Sequence, residues 1–146
     1  MKKIILLALI SISVYAQQMT YSDPQPTFIH PRKWLIKLHV NNLGTVNETL
    51  GAIYNVLKLY PDDALSVLVI AYGHGDRVLK KDYDKHTLMR IRSLMAYGVK
   101  FVVCKNTMET MGWKEKQFIQ GVTFVQAGIA DVIEKKQAGW IDVTPY

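Results

Sequence analysis

The sequence has a single cysteine, Cys104, and four histidines, no two of which are close together. One thiol cannot make a disulfide within its own chain, and this scatter gives no ligand spacing that would suggest a metal site. No apolar stretch reaches the ~20 residues that a membrane-spanning helix needs. No basic run exceeds two residues, so the net charge of +6 is interspersed rather than gathered into a patch. Acidic partners are not indicated by that pattern, and nucleic acid is not expected as a partner. Internal repeats and low-complexity segments are missing as well.

What is present is enough apolar material for one well-filled domain: 146 residues, 49% of them hydrophobic. The start reads separately. Met1-Lys2-Lys3 is basic, residues 4–14 are apolar and uncharged, and Val14-Tyr15-Ala16 is a small-residue exit. That is the layout of a secretory signal peptide over residues 1–16, with cleavage expected after Ala16, export to the periplasm and no stable membrane anchor. Removal of Lys2 and Lys3 lowers the net charge to +4. Export also changes the meaning of the lone cysteine, because exported proteins use cysteines in pairs. The plain alternative is a buried, inert residue, since free cysteine is among the most buried types.

Residues 17–31 hold three of the five prolines and lack periodicity, as an irregular leader would. The domain is expected over residues 32–146. Residues 33–40 alternate, with Trp34, Ile36, Leu38 and Val40 on one face, and read as a strand. After the loop at Asn41 and Asn42, with Thr45 or Asn47 as cap, Val46, Leu50, Ile53 and Leu57 form a helical stripe. Residues 64–72 are almost wholly apolar, as a central parallel strand would be. Gly73-His74-Gly75-Asp76 breaks that run, and a helix is expected over residues 83–97 with Leu88, Ile91, Leu94 and Met95 inward. A strand at 99–104, a short helix at 107–112, a strand at 122–125, a helix at 127–137 with Ile129, Val132 and Ile133 inward, and a strand at 140–143 complete the chain.

Strands joined by helices of this length run parallel with right-handed crossovers. The expected fold is a three-layer α/β sandwich around a five-stranded parallel sheet in the flavodoxin-like order 2-1-3-4-5. Ligands of such sheets bind at the carboxyl ends of the strands, where the winding reverses. Cys104 ends the third strand, and Asn41 and Asn42 follow the first, so this order would bring them to one crevice. Asn106 and Thr107 are helix-capping types. A thiol ahead of them would meet the N–H groups and positive dipole end of a new helix, which favour thiolate. Lys105 would add charge. His39, at the end of the first strand, could approach this crevice, although a hydrogen-bonded strand-end histidine is the simpler reading. His74, between Gly73 and Gly75, suits turn chemistry better than anion binding. A Ser- and Thr-rich phosphate-cradling loop is missing after the first strand, which argues against a flavin.

Ala71-Tyr72-Gly73-His74-Gly75, the run Gly98-Val99-Lys100-Phe101-Val102-Val103-Cys104-Lys105-Asn106-Thr107-Met108, Gly121-Val122, Ala127-Gly128 and Gln137-Ala138-Gly139-Trp140 resemble the DsrE/DsrF-like sulfur-relay family, its small exported members in particular. The resemblance runs from about Lys33 to the C-terminus. It implies an α/β fold, homo- or hetero-oligomeric assembly, and a cysteine that takes up sulfur as a persulfide and passes it between donor and acceptor proteins; separately, the residues lead to no expected cofactor. A Gly-Pro-Gly-like turn of the family stands here as Gly73-His74-Gly75. The competing reading is a non-catalytic module of the same fold that binds a small ligand or a partner.

Cys104 is expected to react with a thiol probe faster than a model thiol at neutral pH. Slow labelling in the folded protein with fast labelling after denaturation would instead mark a buried structural residue.

Overall fold

A computed structural model describes residues 19–145, and the expected signal peptide, residues 1–16, lies outside them. The elements are β1 (Arg32–Leu38), α1 (Leu43–Leu57), β2 (Leu65–Ala71), α2 (Lys85–Ala96), β3 (Lys100–Cys104), α3 (Lys105–Met111), β4 (Thr123–Val125), α4 (Gly128–Gln137) and β5 (Ile141–Asp142). Every strand pair is parallel. The chain therefore forms the α/β fold with a five-stranded parallel sheet that its element order implies. Short 3₁₀ segments occupy Gly73–Leu79 and Glu115–Gln117. Helix α1 begins ahead of its apolar stripe because Asn42, rather than Thr45 or Asn47, caps it. Asn42 Oδ1 accepts the Thr45 N–H at 3.1 Å.

Across the sheet the strands lie in the order β4-β3-β2-β1-β5. The order 2-1-3-4-5 would place β1 beside β3. Here β2 lies between them, paired with β1 from Arg32↔Leu65 to Leu38↔Ala71 and with β3 from Leu68↔Lys100 to Ile70↔Val102. Burial accounts for this arrangement. A strand covered on both faces belongs in the middle of a sheet, and Val67, Leu68, Val69, Ile70 and Ala71 of β2 are all buried.

Crossovers from β1 through β4 step in one direction, so α1, α2 and α3 share a face. Val46, Leu50, Ile53, Leu88, Ile91, Leu94 and Met108 pack there against Ile36, Leu38, Val67, Val69, Phe101 and Val103. The return from β4 to β5 passes β1 and puts α4 on the other face, where Val132 meets Leu35, Leu68, Ile70 and Val102. Each such side chain contributes about 1.5–3 kcal/mol on burial. The larger share of the core therefore lies on the three-helix face.

Helix α4 is rotated away from the expected orientation. Val132 is buried, but Ile129 and Ile133 are 61% and 54% exposed. The cause is Gly128. A Cβ there would lie 3.1 Å from Tyr72 Cβ, 3.2 Å from the Ala71 carbonyl oxygen and 3.3 Å from Cys104 Cβ. Bare backbone at the start of α4 thus rests on the ends of β2 and β3. Val132, one turn further on, faces the sheet with it, and the isoleucines one position along turn outward. Phe118 is buried, with Trp113 and Phe124 edge-on to it at 6.1 and 5.8 Å, whereas Trp140 packs on the α4 side.

The segment after β2 is held by a still closer approach. A Cβ on Gly75 would come within 1.8 Å of the Leu38 carbonyl oxygen, at the end of β1. Gly75→Ala is therefore expected to destabilise the fold by about 3 kcal/mol. The measurement is urea unfolding, with the midpoint lowered and the slope unchanged.

Candidate functional site

Cys104 ends β3 and is also the N-cap position of α3, with extended backbone at φ −87° and ψ 116° and no side-chain capping bond. Alternation along β3 sends Phe101 and Val103 to the three-helix face and Val102 to the α4 face. The Cys104 side chain follows Val102. Its sulfur meets a helix start, but that of α4. The Gly128 N–H donates to Sγ at 3.2 Å, and the thiol donates to the Gln126 carbonyl oxygen at 3.8 Å. The sulfur thus has one donor, suited to a thiolate, and one acceptor, suited to a thiol, within reach.

The sulfur is not openly presented, contrary to expectation: Cys104 is 5% exposed. The connection between β4 and α4 runs across it. The Gln126 carbonyl accepts the Asn106 N–H at 3.0 Å. The Gln126 side-chain amide donates to Asn106 Oδ1 at 2.7 Å and Glu109 Oε1 at 3.2 Å. This strap fastens the connection to the first turn of α3.

Beneath the site lies a carboxyl group. Asp76, in the Gly73–Leu79 segment, is fully buried, and its Oδ1 accepts the Cys104 N–H at 3.3 Å. Its Oδ2 makes no hydrogen bond. Burial raises the Asp76 pKa to about 7, against the opposing pull of the Cys104 N–H and the Thr107 hydroxyl. Thr107 Oγ1 in turn accepts the Gly73 N–H at 2.9 Å. The end of β2, the end of β3 and the start of α3 are thus linked through polar groups.

The other expected site residues divide into two sets. Gly73, His74, Asn106 and Thr107 share a groove of about 330 Å³ with Thr110 and Met111. Gly75 supports this set through its contact with Leu38. Lys105 is beside the thiol in sequence but pairs with Glu115 at 3.0 Å. Asn41 and Asn42 are drawn into local structure: the Asn41 carbonyl accepts the Tyr83 hydroxyl at 2.9 Å, and Asn42 caps α1. With β2 inserted between β1 and β3, the strand order does not bring these asparagines beside Cys104. His39 stacks on Tyr72 with ring centroids 6.0 Å apart, and Tyr72 adjoins Gly128, so this histidine borders the site through one aromatic ring. Among the described residues, no group of three or more His, Cys, Asp or Glu side chains could hold a metal ion, and no helix is long and apolar enough to cross a membrane.

Sequence alone does not single out Asp76, Gln126 and Gly128 as site residues. Asp76 offers one signal, an acid placed directly after a Gly-x-Gly turn at a strand end. Gln126, in the connection after β4, carries none, and Gly128 stands out only within the Ala127-Gly128 pair of the family resemblance.

The DsrE/DsrF-like family model matches residues 39–144, so the chain belongs to that family. Among solved structures it is similar to a protein of unknown function, MTH1491 from Methanobacterium thermoautotrophicum. That match has a TM-score of 0.72 and 21% identity, and covers 78% of this chain and 99% of the other. It shows a shared fold. No curated protein matches the chain.

The raised Asp76 value sets the sign of a stability test. A folded acid that holds its proton up to about pH 7 favours the fold at low pH, and that contribution is lost as pH rises from about 4 to 7. Asp84 is lowered by its hydrogen bonds from Thr87. In Asp142, burial acts upward but Lys37 and Lys136 outweigh it and lower the value. Both therefore titrate below this window. Wild-type stability is expected to fall by up to about 4 kcal/mol between pH 4 and pH 8. Asp76→Asn, which keeps an acceptor for the Cys104 N–H, should flatten that slope in urea titrations run across the range.

Proposed function

We propose that the mature protein is a periplasmic sulfur carrier, exported by a signal peptide at residues 1–16 and holding transferred sulfur as a persulfide on Cys104. The observation that carries this reading is the N–H of Gly128 directed at the only thiol of a DsrE/DsrF-like chain. The thiolate of Cys104 attacks the outer sulfur of a donor persulfide. A new S–S bond forms to Cys104, the donor's S–S bond breaks, and the donor leaves as its thiolate. No external oxidant is needed. Passing the sulfur on is the same exchange with Cys104 as the donor side.

Such exchange requires the strap at Gln126 to move, because the sulfur is nearly covered. The reading includes assembly of copies of the chain and protein donors and acceptors, in keeping with the family. A second reading draws on that same burial and on the groove at Gly73, His74 and Thr107. In it the chain is a non-catalytic module that binds a small ligand or a partner, and the thiol is incidental.

The two part in one experiment. Purified mature protein exposed to polysulfide, or to thiosulfate, from which sulfite leaves, is expected to gain the mass of one sulfur atom, which a reductant then removes, and not in Cys104→Ala. An unmodified wild-type mass would remove the carrier reading, and ligand or partner binding that persists in Cys104→Ala would favour the second.

A further inference from the structure

Asp76 has no part in the sulfur exchange itself, yet among the described residues it is the one buried acid that touches the thiol-bearing residue. We propose that Asp76 is a positioning residue that, by holding or releasing one proton, sets how readily the Cys104 sulfur carries negative charge. The inference rests on Cys104 being a reacting group, but on no particular sulfur donor.

Geometry carries it. One carboxyl oxygen is fixed on the Cys104 backbone at 3.3 Å, and the other is buried without a partner. A buried carboxylate with an open oxygen is costly, and such groups tend to mark functional positions rather than stabilising ones. The close contact of Gly75 with Leu38 holds the segment that carries Asp76 against the strand ends. When protonated, the carboxyl keeps its acceptor role toward the Cys104 N–H and brings no charge to the site. When ionised, it places a second negative charge near the sulfur, and like charges oppose each other's formation.

The charged groups around it are engaged elsewhere. Arg77 pairs with Asp82 at 2.8 Å, and Lys80 lies over the Trp113 ring at 4.5 Å with Asp82 at 3.9 Å. From α3, Lys105 pairs with Glu115, and Glu109 accepts from Gln126. From β1, His39 stacks on Tyr72. His74 is exposed in the groove. Burial acts on Asp76 most strongly, opposed by the Cys104 N–H and the nearby Thr107 hydroxyl, and no neighbouring charge is among the causes.

The test is the rate of Cys104 alkylation by iodoacetamide as a function of pH, in wild type and Asp76→Asn. The variant profile is expected to move to lower pH, with alkylation near neutral pH faster by about threefold or more, the effect of half a unit in the thiol titration. A variant that merely loosened the strap would scale every rate by one factor and leave the midpoint in place. Asp62→Asn, an exposed change of equal charge, should leave the profile as in wild type. Coincident midpoints for wild type and Asp76→Asn would overturn the proposal. Should Asp76→Asn fail to fold, infrared titration of the wild-type carboxyl band replaces it. A near-neutral midpoint that shifts on alkylation of Cys104 supports the coupling, and one that does not shift overturns it. Because alkylation needs no sulfur donor, failure of the persulfide experiment and failure of this one are separate outcomes.

Discussion

The Cys104 N–H bonded to the buried Asp76 carboxyl is the contact on which the site depends. It joins the turn after β2 to the last residue of β3, and so fixes where β3 stops and α3 starts. An acid there is not a natural choice for stability. Desolvation works against its charge, and only one of its two oxygens is satisfied. An apolar side chain of similar volume would avoid the desolvation cost but would leave the Cys104 N–H without an acceptor. The fold accommodates it because burial of the apolar clusters on the two sheet faces stabilises the chain by more than the acid costs.

Two glycines make this arrangement possible, and both act by absence of a side chain. Gly75 lets the turn lie on the Leu38 carbonyl, which brings Asp76 inward. Gly128 lets the start of α4 settle on Ala71, Tyr72 and Cys104, which brings an N–H to the sulfur. The site is therefore built from backbone groups at least as much as from side chains. That bears on how the family should be read: a fold of this kind hosts many chemistries, and the local donors decide which one is available.

Much of the architecture was legible because periodicity is a local property. The β1 alternation, the α1 and α2 stripes and the apolar β2 run each placed an element within a few residues. Lateral order was harder, since it depends on which faces are covered. The almost wholly apolar character of β2 was the clue that it sits centrally, with β1 and β3 on either side. For α4, counting apolar positions put Ile129 and Ile133 inward, whereas backbone contact at Gly128 set the rotation. Cys104, Asn106, Thr107 and the Gly73-His74-Gly75 turn could be found from sequence because they sit where a strand gives way to a turn or a helix. Asp76, Gln126 and Gly128 join them only through tertiary contact, and no spacing along the chain encodes that.

The sheet borders carry one more consequence. At its two margins stand β4, of three residues, and β5, of two. Rows of unpaired amides this brief give an incoming chain little to template on, which guards against fibril-like stacking. A continuous ribbon of copies would have only these few edge residues through which to pair.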